Sequence, residues 1–386
     1  MFKKSEPIRQ KDYEQISSIS DEIIKFFIKL KEVVAISQLH IGRIRTDVDA
    51  QHIGIMHNKT ISHGVYSIFK ACLYFTIFFY RALFYKNTTN VLSGTMYDFM
   101  FVSHYTGGYR SSSYHDSYFG EVVKQLRGTG KSCFVVYIDH TSNADFNIFN
   151  KSVNEVLISE RVCVKELFKI YVELARVAFL INKKHSEQSH NFPDNLLRNL
   201  STYLFSYNTI RNLVLSKKIK EMVAQLHPKV IVTTFEGHAL ERLIFRNARD
   251  ASNGINCVGY QHAPVFKYQH SIKRFLGEGY DPDYIFTSGS VPRRQLLSGL
   301  RGHDDKIKVL GSSRHIYSNP PRQINKSYHR KCCLVAPEGN LRECSILFSF
   351  SLKCAFRSNI KFIWRFPPMV TMQSLIKCNA VFSDLP

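Results

Sequence analysis

The chain has 386 residues, 44% of them hydrophobic, enough for a sizeable core and more than one domain. Its 52 Lys and Arg against 31 Asp and Glu give a net charge of +21, which favours polyanions as partners: nucleic acid, anionic lipid or a phosphorylated substrate. Nucleic acid is disfavoured, because the basic residues are spread along the chain with no basic tail, zinc-finger spacing or RNP1-like run.

That spread suits a protein lying on an anionic membrane face. Nine cysteines form no CxxC pair and no disulfide framework, and several sit in apolar runs as small hydrophobes. With an odd count and no secretory signal peptide, the expectation is a reducing cytoplasm, with peripheral attachment to the inner face of the plasma membrane.

Residues 1–90 read as a helical N-terminal region. Apolar spacing in YEQISSISDEIIKFFIKLKEVVAI indicates an amphipathic helix. Residues 65–85 are the most apolar stretch, but Lys70 and Arg81 interrupt it, and its uninterrupted core is short of the ~20 apolar residues of a spanning helix. It reads as a buried helix, or as an aromatic helix lying in a membrane interface.

Residues 91–315 read as a Rossmann-like domain. DFMFVSHY (Asp98 to Tyr105) and SCFVVYID (Ser132 to Asp139) are strands flanking the helix YFGEVVKQLRGTG. Gly107-Gly108 lacks the GxGxxG spacing of a dinucleotide site. Residues 150–226 read mainly as helices. Three further apolar runs then alternate with helical patterns: VIVTTF (Val230 to Phe235), NCVGYQH (Asn256 to His262) and DYIFTSG (Asp283 to Gly289). Such runs mark βαβ units of a parallel sheet, whose ligands bind beyond the carboxyl ends of the strands. Glu236, His238, His262 and Ser288 fall there. A polar linker, residues 316–330, carries Pro320-Pro321. A second βαβ pattern fills residues 331–386, short of the ~100 residues of a typical domain, so this domain reads as incomplete.

Glu236, at a strand end beside a glycine, has the position of a general base, or alternatively of a partner for the next helix's dipole. His262 can hold a sugar or phosphate oxygen or act as an acid/base near neutral pH, or bond loop backbone. Glu241 and Arg242 read as ion-pair residues. Ser288, Gly289 and the Gly311-Ser312-Ser313-Arg314 run can offer N–H groups and a cation to a diphosphate, though turn chemistry explains the small residues equally well. Glu338 and Gly339 precede a helix, an arrangement that suits phosphate or ribose, and Arg365 is a candidate phosphate cation. No metal site stands out; Asp281-Pro282-Asp283 reads as a turn.

Taken in order, these residues resemble the GT-B glycosyltransferases of bacterial surface-carbohydrate (O-antigen or capsule) synthesis. The marks are Phe235-Glu236-Gly237 with Glu241-Arg242, Gly259-Tyr260-Gln261-His262, Pro282-Asp283 leading to Ser288-Gly289, and Val309 to Arg314. Val335-Ala336-Pro337-Glu338-Gly339 with Glu343, and Trp364-Arg365-Phe366-Pro367-Pro368, complete them. The resemblance spans roughly residues 95–370 and rests on order and spacing. It implies an α/β fold with two Rossmann-like domains, an acceptor domain at 91–315 and a nucleotide-sugar domain at 331–386. It also implies metal-independent transfer from a nucleotide-sugar, bound as substrate with no cofactor, to a lipid-linked or saccharide acceptor. Glu236 and His262 would be catalytic, and Ser288, Gly289, Arg314, Glu338, Gly339 and Arg365 would bind the donor. Related families carry a His-Pro motif where this chain has Pro367, which has no imidazole to bond a phosphate. A truncated, non-catalytic relative and a CDP-polyol phosphotransferase of the same architecture are the other two expectations.

Overall fold

The structure, a computed structural model, describes residues 10–29, 62–84, 96–106, 116, 118–141, 154–187, 204–265, 269–277, 279–300, 302–312, 331–337, 341–367 and 370–383. It divides into two compact units, Met1–His315 and Ile316–Pro386.

The first unit is built on seven parallel strands: β1 (Phe99–Tyr105), β2 (Cys133–Asp139), β3 (Glu155–Ile158), β4 (Val230–Thr234), β5 (Asn256–Gln261), β6 (Tyr284–Thr287) and β7 (Ile307–Val309). Their order in the sheet is β3-β2-β1-β4-β5-β6-β7. The chain therefore winds outward from β1 through β2 to β3, then returns to pair β4 against the other side of β1. This is the doubly wound, Rossmann-like arrangement, and the β1/β4 boundary is its topological switch point.

The central strands are apolar on both faces because both are covered. Alternate residues of β1 divide between two cores. Met100 and Val102 pack with Ile219 and Val223 of α5 (Tyr207–Leu226) and with Ile244 and Phe245 of α6 (Ala239–Ala251). Phe101 and Tyr105 pack on the opposite side with Phe119 and with Val123 of α3 (Gly120–Gly128). A further helical layer lies outside α5. Ile24 and Ile28 of α1 (Gln10–Lys29), Phe78 and Ala82 of α2 (Ser62–Leu83) and Leu174 and Val177 of α4 (Val164–Glu187) join Ile210, Leu213 and Val214 of α5 in one buried cluster.

The reading of 150–226 as mainly helical requires one correction. Glu155–Ile158 is a strand, pairing in parallel with β2 at the sheet edge. Four residues are too few to set up a period, and the long helix that follows, Val164–Glu187, dominates the local pattern. Residues 65–83 fall in α2, which is neither wholly buried nor wholly surface-borne: Phe78 and Ala82 are buried while Tyr80 and Leu83, and Phe84 just past its end, are exposed. Among the described residues no helix is long and apolar enough to cross a membrane.

The second unit has a two-stranded parallel sheet, β8 (Cys332–Val335) with β9 (Lys361–Trp364), connected through α8 (Leu341–Ala355) and followed by α9 (Met372–Cys378). Phe348 of α8 stacks on Trp364 at 4.5 Å, and the indole N–H donates to Ser351 Oγ at 2.7 Å. Leu334 and Ile363 are exposed on these strands.

Candidate functional site

The carboxyl ends of β1, β2, β4 and β5 converge on an open cavity of about 590 Å³. Four imidazoles line it: His104 at the end of β1, His140 just past β2, His238 past β4 and His262 past β5. Glu236 and Thr234 come from β4 and its exit, and Asn208, Arg211 and Asn212 from the first turns of α5. The two sequence-identified catalytic candidates, Glu236 and His262, are thus in one cavity at the switch point.

The backbone around Glu236 is fixed by its neighbours. Phe235 N–H extends the ladder to Tyr260 O at 2.8 Å, and Ser271 Oγ donates to Glu236 O at 3.1 Å. Gly237 has φ +76, and a Cβ there would overlap the Ser271 carbonyl, so both conformation and space require glycine. Gly259 on β5 has a second steric role: a Cβ would come within 2.8 Å of the Phe235 ring.

Glu241, three residues into the α6 region, takes the role that the sequence offered to Glu236. Its carboxylate accepts from the Glu236 N–H at 3.0 and 3.1 Å and from the His238 N–H at 2.7 Å. These are the orphan donors of a helix start, satisfied as in a capping box. Burial pushes the Glu241 carboxyl up to about 7. The expectation of an ion pair for Glu241 is therefore corrected to a backbone cap. Arg242 does form one: wholly buried, it pairs with Asp281 and donates to Ser271 O at 2.7 Å and Arg274 O at 3.0 Å. That bond set ties Ser271, Arg274 and Asp281 to α6. Asp283 accepts from Cys257 N–H at 2.7 Å and pairs with Arg249, so Asp281-Pro282-Asp283 is structural.

With the cap supplied by Glu241, the Glu236 side chain is available to the cavity. Its oxygens lie 3.4 Å from His238 Nε2 and 3.6 Å from His262 Nε2. The His238 contact is the main reason its carboxyl sits below the usual range, with His262 adding to the effect against a burial penalty. Burial works to lower the His238 value, but Glu236 and Glu241 together raise it above the ordinary imidazole. Near neutral pH this is a carboxylate held against an imidazole of raised basicity, a pair suited to moving a proton.

Sequence reasoning assigned no role to His104, His140 or Arg211. His104 Nδ1 lies 2.8 Å from His140 Nε2, and His104 Nε2 lies 2.9 Å from Thr234 Oγ1. Arg211 Nη2 is 3.4 Å from His140 Nδ1 and 3.3 Å from Asp139 O. A guanidinium can only donate, which fixes the direction of the chain: Arg211 to His140, His140 to His104, His104 to Thr234. Both rings must then be neutral. In agreement, burial lowers both, His104 to about 3 with help from His140, and His140 with help from Arg211. The Tyr118 ring packs edge-on against both His104 and His262, at 5.6 and 4.8 Å between centroids. The signal that could have found His104 and His140 is the one used for Glu236: a polar residue at the carboxyl end of a parallel strand.

Ser288 and Gly289 form the turn between β6 and α7 (Ser290–Leu297), on the same sheet edge but not among the residues lining this cavity. There Ser288 N–H donates to Gln261 O at 3.0 Å and Thr287 Oγ1 donates to Gly289 O at 3.0 Å. Arg365 follows β9 in the second unit, is exposed, and donates its N–H to Val335 O at 3.0 Å. Arg314, Glu338 and Gly339 lie outside the described residues. Among the described residues no group of three or more His, Cys, Asp and Glu could hold a metal ion. No protein-family model and no curated protein matches this chain.

Proposed function

We propose that the cavity at the β1/β4 switch point is the acceptor site of a glycosyltransferase, which moves a sugar from a nucleotide-sugar to an acceptor hydroxyl in surface-polysaccharide assembly. The observation that carries this reading is the placement of Glu236. It is an ionised carboxylate at the carboxyl end of β4, between two imidazoles, in a cavity large enough for a saccharide.

In the reaction, the acceptor O–H gives its proton to Glu236 as its oxygen bonds to the donor's anomeric carbon. The bond from that carbon to the phosphate oxygen breaks, and the nucleotide leaves with the electron pair. His238 holds the carboxylate in position and stabilises its charge before transfer. The donor is assigned to Ser288, Gly289, Arg314, Glu338, Gly339 and Arg365 on the family resemblance and on the N–H groups and cations that those positions offer a phosphate. The exposed aromatic side of α2 and the net charge of +21 support attachment to an anionic membrane surface that presents a lipid-linked acceptor.

The test is transfer by the full chain across a panel of nucleotide-sugars with saccharide and lipid-linked acceptors. Glu236→Gln should lower kcat by about 10²- to 10⁴-fold with an unchanged circular dichroism spectrum and Tm. The pH profile of kcat/KM should have an acid limb below the usual carboxylate range, from Glu236, and a second inflection above the ordinary imidazole range that is lost in His238→Asn. Full activity in Glu236→Gln would refute the assignment.

A further inference from the structure

The cavity has two chemically distinct flanks. Glu236 and His238 lie past the end of β4. From there the contacts run through Thr234, His104 and His140 to Arg211, which comes from α5. Arg211 is joined on the cavity wall by Asn208 and Asn212. These three residues are spaced i, i+3 and i+4, so they share one face of the helix. Helix α5 runs for 20 residues and begins here, so its N-terminal dipole adds positive potential at the same flank.

Arg211 is underused where it stands. Of its five N–H donors, its hydrogen bonds use Nη2 alone, at 3.3 and 3.4 Å. Among the described residues no carboxylate lies within ion-pair distance of it. The acid it influences electrostatically is Glu160, but that carboxylate is bonded to Arg81 at 2.8 Å and to Tyr207 at 2.7 Å. The two carboxylates in the cavity are also committed elsewhere: Glu241 to backbone N–H groups, and Glu236 to His238 and His262.

We propose that Arg211, Asn208 and Asn212 form a binding site for an oxyanion group, a carboxylate or a phosphate, carried by the acceptor. This rests on the reading of the cavity as an acceptor site. A planar guanidinium with two amide groups beside it matches the several lone pairs of such a group, as a lone ammonium would not. The site also settles the acceptor's orientation. An anionic acceptor is repelled by Glu236 and drawn to Arg211, so its charged end goes to α5 and its uncharged hydroxyl end goes to the base. A neutral acceptor gains ordinary hydrogen bonds from this flank but not the charge assistance.

The experiment is calorimetric titration of the full chain with inorganic phosphate and with acetate at fixed ionic strength. Saturable binding of at least one is expected. Arg211→Gln should weaken it at least about tenfold and the Asn208→Ala/Asn212→Ala pair several-fold, as expected for charge-assisted hydrogen bonds. If Arg211→Gln fails to fold, the asparagine pair carries the comparison. In the unaltered protein, the preferred anion should also slow modification of Arg211 by phenylglyoxal, read by peptide mass spectrometry. Preference for phosphate assigns a phosphoryl group and preference for acetate a carboxylate. No saturable binding of either, or affinity undiminished in the variants, overturns the proposal. Glu236→Gln should bind the anion at least as tightly as the native chain. Anion binding that persists while Glu236→Gln keeps full transfer activity would reject the base assignment without touching the anion site.

Discussion

Glu236 and Glu241 are five residues apart and chemically alike, yet the fold gives them opposite duties. Glu241 spends its oxygens on the start of α6, and Glu236 is thereby left to the cavity. The motif Glu236-Gly237 was legible as a strand end with a tight exit. Which glutamate capped the helix was not, because that depends on where the chain turns after Gly237. The turn hinges on glycine: Gly237→Ala meets both a positive φ and the Ser271 carbonyl. It should destabilise the chain by about 2–4 kcal/mol, measured by urea unfolding, and reduce activity further by shifting Glu236. An alanine variant as stable as the native chain would show that Ser271 gives way easily.

At the scale of elements, apolar runs located the inner strands well. β1, β2, β4, β5 and β6 lie inside the runs read from sequence, because strands buried on both faces are continuous apolar segments. β3 and β7, with four and three residues, lie at the sheet edges, where pairing with one neighbour decides the structure more than composition does. Helix α2 divides its surface. Phe78 and Ala82 pack inward, while Leu73, Tyr80 and Leu83, and Phe84 just past its end, are exposed, and Phe168 and Phe179 of α4 are exposed as well. An apolar surface of this kind on a basic protein predicts binding to anionic vesicles. Co-sedimentation with phosphatidylserine-containing liposomes should exceed that with neutral liposomes, and Tyr80→Ser/Phe84→Ser should reduce it several-fold. Equal recovery with and without anionic lipid would remove the membrane role.

The molecule as a whole has a pH dependence written into its histidines. His104 is held neutral with its value pushed down to about 3, first by burial and then by His140. The unfolded chain takes up that proton below about 6.5, so acid favours unfolding at roughly 1.4 kcal/mol per pH unit for this group. His238 acts in the opposite sense: its raised value contributes stability below the ordinary imidazole range that is lost as pH climbs through it. Glu236, lowered, contributes stability above the ordinary carboxylate range that is lost as pH falls through its folded value. Urea unfolding at pH 7.0 and 5.5 should show the native chain losing about 1 kcal/mol more than His104→Gln over that interval. Equal losses would mean that His104 takes up a proton in the folded state.

The sequence by itself determined the α/β class, the identity of the central strands and the sheet edge on which Glu236 and His262 lie. Those follow from local pattern: apolar runs must be buried, and the glycine and polar residues after them mark where the chain leaves the sheet. Only the tertiary structure decided the order of the strands, and with it the switch point. Pairing β4 against β1 brings His104 within reach of Thr234, residues 130 apart in the chain, and sets Arg211 of a helix beside a histidine of β2's exit. No local pattern encodes such neighbours, because they are fixed by which faces of which elements bury the most apolar surface together.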